Sequence, residues 1–122
     1  MTDRAAVSEW VDRYVDAWTS NDPDAIGALF ADDARYFTAP YREPWSGREA
    51  ILQGWLDRKE EPHEWRFQFE VKAVDGDLGV VAGTTDYVAG EGAPESFSNL
   101  WLIRLDVRGR CTEFIEYWMR QE

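Results

Sequence analysis

Residues 65–76 read Trp65-Arg66-Phe67-Gln68-Phe69-Glu70-Val71-Lys72-Ala73-Val74-Asp75-Gly76. Trp65, Phe67, Phe69, Val71 and Ala73 alternate with Arg66, Gln68, Glu70 and Lys72. A period of two sets one row of side chains against a core and the other in water. Asp75-Gly76 then offers the residue pair that a tight hairpin favours. The stretch predicts an antiparallel strand entering a hairpin. Three more strands are expected after it: 78–89, broken by Gly90, Gly92 and Pro94; 97–107, turned by Arg108-Gly109; and 111–119.

The half before this stretch has a different period. Val7, Val11, Tyr14, Val15 and Trp18, widened by Trp10, recur at helical spacing and predict a helix over 3–19. Asp22-Pro23 pairs a good N-cap with a residue suited to the first helical turn. It starts a short second helix carrying Ile26, Leu29 and Phe30 and ending near Asp32-Asp33. Residues 34–45 read as extended and then looped. Ser46 and Glu49 have the spacing of a capping box before Ala50, Ile51, Leu52, Trp55 and Leu56. That third helix is expected to end at Glu60-Glu61-Pro62. Three helices followed by an antiparallel run make the class α+β.

At 122 residues the chain fits one domain, 1–122, with room for a core that needs no disulfide or structural metal. Its one cysteine, Cys111, excludes an internal disulfide and a multi-cysteine metal site, and points to a reducing, cytoplasmic setting. No stretch suits a membrane span. The net charge of −11 would repel phosphate backbones, so no nucleic-acid partner is expected. Seven Trp, five Tyr and six Phe are enough both to build a core and to line a pocket for an apolar or aromatic small molecule.

Three motifs, Ala28-Leu29-Phe30-Ala31-Asp32-Asp33-Ala34, Trp45-Ser46-Gly47-Arg48-Glu49-Ala50-Ile51 and Leu100-Trp101-Leu102-Ile103-Arg104-Leu105, carry a family resemblance, as does the C-terminal run 109–118. The chain resembles the NTF2-like superfamily in its SnoaL-like branch over nearly its whole length. The resemblance implies a cone: three N-terminal helices packed on a strongly curved, mixed, mostly antiparallel sheet. It also implies a deep pocket at the concave face and dimerisation through the opposite face. Members include ketosteroid isomerases, limonene-type epoxide hydrolases, polyketide cyclases, dehydratases and proteins with binding roles only, so the fold leaves the chemistry open.

Alternation selects candidate pocket groups independently of the family. Phe114, Glu116 and Trp118 share a face, and a carboxylate between two rings in a partly dry site should resist ionisation. The alternative puts Glu116 on the outer face. Ala82, Thr84, Asp86 and Val88 share a face of their strand, with small residues leaving space for a ligand. Asp86 could then meet Glu116, and two carboxylates in one apolar site divide into an acid and a base. Asn99 and Trp101 share a face; Asn99 either donates to a ligand or faces water. Tyr14 is either a core tyrosine or a donor. Trp18, Trp55, Trp101 and Trp118 are candidate walls.

Carried onto this sequence, the resemblance places the oxyanion-donor tyrosine of ketosteroid isomerases at Tyr14. The general base of that pattern falls on Thr38, and its protonated aspartate falls near Asn99 or Trp101, so that route is not expected. The epoxide-hydrolase pattern places water-holding groups at Tyr36 and Thr38 and its two acids at Asp86 and Glu116. Its arginine falls on Thr84. His63 is the one histidine, in a loop. No serine elbow, P-loop, dinucleotide fingerprint or H-E-x-x-H pair is present. Asp32-Asp33 more often face solvent than hold a metal, so no metal or cofactor is expected.

Two readings remain. One is a cofactor-free enzyme doing acid–base chemistry on an apolar substrate: an isomerase, a cyclase or an epoxide-hydrolase-like catalyst of water addition. Here Glu116 and Asp86 act with Tyr14 and Tyr36, and Thr38, Thr84, Asn99 and Phe114 help bind. The other is a non-catalytic module binding a small ligand or a partner protein. They differ in whether Asp86 and Glu116 converge. Tyr87, Leu100, Leu102, Ile115, Tyr117 and Met119 are expected on an apolar outer face that would favour a homodimer.

Overall fold

The computed structural model describes residues 2–58, 65–87 and 95–121. Among these, helices α1 (Arg4–Ser20) and α2 (Pro23–Ala28) precede strands β1 (Phe30–Phe37) and β2 (Trp45–Ser46). Helix α3 (Arg48–Asp57) follows, then β3 (Trp65–Asp75), β4 (Leu78–Tyr87), β5 (Glu95–Leu105) and β6 (Cys111–Arg120). The six strands form one curved, open sheet in the order β2-β1-β6-β5-β4-β3. Only β1 and β6 run parallel; the other neighbours are antiparallel. This is the α+β cone that the sequence resemblance implies.

Helix α1 starts and stops for local reasons. Asp3 caps α1 by accepting from the Ala6 amide, and Asn21 ends it at φ 52°, its amide donating to the Ala17 carbonyl. Asp22 and Pro23 open α2 as expected, but that helix stops at Ala28. Phe30 instead pairs with Cys111 of β6, so 30–33 is strand where helix was expected. Both residues are fully buried, and burying them in the sheet outweighs a weak helical preference. The capping box does not form either. Ser46 is consumed in β2 opposite Arg35, and Gly47 at φ 91° becomes the N-cap of α3 without a side-chain bond. That helix ends at Asp57; Glu60-Glu61-Pro62, like His63, Val88, Gly90, Gly92 and Pro94, lies outside the described residues.

In β3 the alternation holds through Val71, then a bulge shifts the register before Ala73. Ala73 is consequently exposed and Val74 turns inward, a reversal that a strict period of two does not anticipate. Gly76 makes the hairpin at φ 62°.

The core lies between the helices and one sheet face. Trp10, Ile26, Leu29, Phe30, Ile51, Ile103 and Phe114 are fully buried, each worth about 1.5–3 kcal/mol of apolar transfer. The Trp10 indole donates to the Leu29 carbonyl at 3.0 Å, fastening α1 to the end of α2. Helix α1 approaches the sheet so closely that a Cβ on Gly79 would lie 2.7 Å from a Val7 methyl.

Register decides which residues face the helices. Val81 pairs with Trp101, which pairs with Glu116; Gly83 pairs with Asn99, which pairs with Trp118; Thr85 pairs with Phe97. Directly paired residues project to the same face, so these form the inner row. Ala82, Thr84 and Asp86 alternate to the outer face, opposite Leu100, Ser98 and Ser96.

Candidate functional site: an aromatic cavity with one carboxylate

The inner row and the helices enclose a cavity of about 370 Å³, within the range of small-molecule sites. Tyr14 and Trp18 come from α1, Trp55 and Arg58 from the end of α3, and Tyr36 from β1. Thr38, Arg42 and Trp45 come from the chain between β1 and α3, and the wall is completed by Thr85, Tyr87, Phe97, Asn99, Trp101, Glu116 and Trp118.

At one side of the cavity, Glu116 is anchored through its Oε2 oxygen. Oε2 accepts from the Trp101 indole at 2.6 Å and from the Asn99 amide at 2.9 Å. Asn99 is itself oriented, because its Oδ1 accepts from the Thr85 hydroxyl at 2.7 Å. Thr85 thereby determines which end of the Asn99 amide meets the carboxylate. It is a buried polar residue, and this bond answers its hydroxyl. Both contacts to Oε2 are N–H donors, so the arrangement is matched to an ionised acid.

The second polar feature is a tyrosine pair. The Tyr14 and Tyr36 hydroxyls lie 2.7 Å apart and are buried. Burial pushes the Tyr14 hydroxyl well above the ordinary tyrosine range, reinforced by Tyr36 and by the Glu116 charge. Burial and then the Glu116 charge push Tyr36 up as well. Both stay neutral donors at any ordinary pH. Phe114 supports them from beneath, stacked at 4.6 Å on Tyr36 and 5.5 Å on Tyr14. Trp45 stacks on the other side of Tyr36 at 5.0 Å, and Trp101 lies 4.7 Å from Tyr14.

The structure thus brings Tyr14, Trp18, Tyr36, Thr38, Trp55, Asn99, Trp101, Glu116 and Trp118 to one cavity. Phe114 is a fully buried support rather than a lining residue. Asp86 and Thr84 do not join them, which corrects the expected Asp86–Glu116 pair. Asp86 lies on the outer face, where it accepts from the Ser96 hydroxyl at 2.6 Å. The inner row of β4 is instead Val81, Gly83, Thr85 and Tyr87, so Tyr87 also moves from the outer face to the cavity. Small residues at Ala82 and Thr84 suggested space for a ligand. The buried Val81, in line with Thr85, was the better sign of the inward face.

Sequence reasoning missed Thr85, Tyr87, Phe97, Trp45, Arg42 and Arg58. Arg42 and Trp45 come from chain with no periodicity to read, Arg58 follows α3, and only the folded path of residues 38–58 brings the three to one cavity. Among the described residues no cluster of His, Cys, Asp or Glu could hold a metal ion, and no helix is long and apolar enough to cross a membrane.

Comparison with known proteins agrees with this geometry. The model of the SnoaL-like domain matches residues 11–114. No curated protein matches the sequence. A similar solved structure is that of the epoxide hydrolase/cyclase-like enzyme SalBIII, described for its role in pyran ring formation in the polyether salinomycin. It shares 18% identity over 98% of this chain and 95% of its own, with a TM-score of 0.78. At that identity the likeness is one of fold. With the match running from α1 into β6 of the open, curved sheet, the chain belongs to the SnoaL-like family of the NTF2-like superfamily.

Proposed function

We propose that the protein is a cofactor-independent enzyme that transfers protons within a small substrate of apolar body. Glu116 is the proton acceptor and the Tyr14–Tyr36 pair is the donor. One observation carries the reading: a carboxylate oriented by Asn99 and Trp101 shares a cavity with a buried hydroxyl pair. Two hydroxyls own two protons, and their mutual bond uses one. The other can be donated to a ligand oxygen. In a cavity walled by aromatic rings such a donor is worth more than in water.

A base and a neutral acid facing one apolar space suit isomerisation, ring closure or water addition. In ring closure, a substrate hydroxyl would lose its proton to Glu116 as its oxygen attacks carbon. The oxygen displaced from that carbon would then take a proton from the tyrosine pair. The described activity of SalBIII makes ring closure the reaction to try first. Asp86 has no part in this scheme.

An activated carbon acid, a nitrobenzisoxazole, tests the reading without knowledge of the natural substrate. A base removes its ring proton, the N–O bond breaks, and the phenolate formed needs a hydrogen-bond donor. Saturable turnover that falls about 100-fold or more in Glu116→Gln is expected. Saturable binding with turnover no faster than free carboxylate supports the second reading, a binding module. That reading is favoured by the two donors already satisfying Glu116 Oε2.

We also propose a homodimer formed through the outer sheet face. Leu100 at 37%, Tyr117 at 40% and Met119 at 69% exposure form an apolar strip there, and strips of this kind usually mark interfaces. The buried, unpaired thiol of Cys111 fits a reducing cytoplasm.

A further inference from the structure

The mouth of the cavity carries two arginines that the proton-transfer scheme does not use. Arg42 follows β1, with its guanidinium 5.5 Å from the Tyr41 ring and 3.5 Å from the Thr38 hydroxyl. Arg58 caps the end of α3, 5.6 Å over the ring of Trp45, which in turn stacks on Tyr36. Both line the same cavity as Glu116. Aromatic faces hold a guanidinium in place without neutralising it.

Five of the nine other arginines are ion-paired. Arg35, Arg48, Arg104, Arg110 and Arg120 each have a carboxylate partner. Among the described residues Arg4, Arg13, Arg42, Arg58, Arg66 and Arg108 have none, and of these only Arg42 and Arg58 line the cavity. Two cations without carboxylates at one pocket mouth stand out in a chain of net charge −11. Acids beyond roughly 8 Å are screened at physiological salt, so the two guanidiniums weigh more on an anion at the mouth than the net charge of the whole chain does.

We infer that the ligand is amphiphilic: an apolar body inside the cavity and a carboxylate at its outer end, bound between Arg42 and Arg58. A guanidinium fork matches a carboxylate by two parallel hydrogen bonds. The carboxylate also fixes which end of the body reaches Glu116 and the tyrosines, because that wall carries a negative charge and would repel it. This rests on the reading of the cavity as a substrate site and gives that substrate a polarity and a direction.

The test uses phenylalkanoates of increasing chain length and the alcohols of the same length, titrated against the whole protein by calorimetry and tryptophan fluorescence. At low salt the acid of best length is expected to bind about five- to tenfold tighter than its alcohol. That ratio should decline with added salt. In the Arg42→Gln/Arg58→Gln variant it should fall to about one. Both arginines are exposed, so the variant should fold, and the salt series on the unaltered protein gives an independent reading if it does not. An acid that binds no tighter than its alcohol, or not at all, overturns the inference, as does a ratio indifferent to the two substitutions. Nitrobenzisoxazole turnover by Glu116 with no acid preference removes this inference alone. An acid preference without turnover removes the enzymatic reading alone.

Discussion

The Trp101 indole nitrogen lies 2.6 Å from Glu116 Oε2, across a directly paired position of β5 and β6. The same register that makes them neighbours puts both on the inner face, so a wall residue also serves as an anchor for the carboxylate. Trp101→Phe keeps an aromatic wall and removes the N–H. Loss of a hydrogen bond to a charged group should cost about 1.5–3 kcal/mol in denaturant unfolding. Turnover should fall as well, since the carboxylate then loses one of the donors that orient it through Oε2. A variant as stable as the parent would show that the bond contributes nothing.

Thr85 acts one step further back, through Asn99. Thr85→Val keeps the shape, removes the hydroxyl donor to Asn99 Oδ1 and leaves Glu116 untouched. The amide of Asn99 can then rotate. A drop in turnover at unchanged ligand affinity is expected, with partial recovery in Thr85→Ser. Equal losses in the valine and serine variants would mean that Thr85 serves packing only.

The tyrosine pair should show itself in thermodynamics and in titration. Tyr14→Phe or Tyr36→Phe alone leaves one buried hydroxyl without its partner, at about 1–3 kcal/mol. The double variant should lose no more than either single one, and a double-mutant cycle measures this directly. Simple additivity of the two losses would exclude a coupled pair.

Both hydroxyls are raised in the folded state relative to the unfolded chain. The unfolded state therefore releases protons first as pH rises. The stability they contribute is fully present below the ordinary tyrosine value of about 10 and is lost above it. Tyr14 and Tyr36 should ionise only together with unfolding. Reversible ionisation of Tyr14 and Tyr36 near pH 10 in the folded protein, followed by ultraviolet absorbance, would contradict their burial.

Oligomeric state can be checked at the outer face. A homodimer should be seen by light scattering at micromolar concentration. Leu100→Lys with Met119→Lys should shift it to monomer, because like charges would then meet across a symmetric interface. A monomeric parent protein would leave the apolar strip of Leu100, Tyr117 and Met119 to another role.

Much of the architecture follows from periodicity alone. Helical spacing of Val7, Trp10, Val11 and Tyr14 determined α1, and the alternation from Trp65 determined β3 up to its bulge, because local pattern and burial agree there. The run Phe114, Glu116, Trp118 put a carboxylate between aromatic rings on one face, and those residues do share a face. Periodicity defines two faces of a strand but not which one meets the helices. That choice depends on register against neighbouring strands, and it moved Asp86 and Thr84 out and brought Thr85 and Tyr87 in. Phe30 illustrates the same limit: its pairing with Cys111, 81 positions along the chain, overrode a helical reading of its own neighbourhood. The tyrosine pair, the anchoring of Glu116 and the arginines at the mouth depend on contacts between distant segments, and only the folded cone creates them.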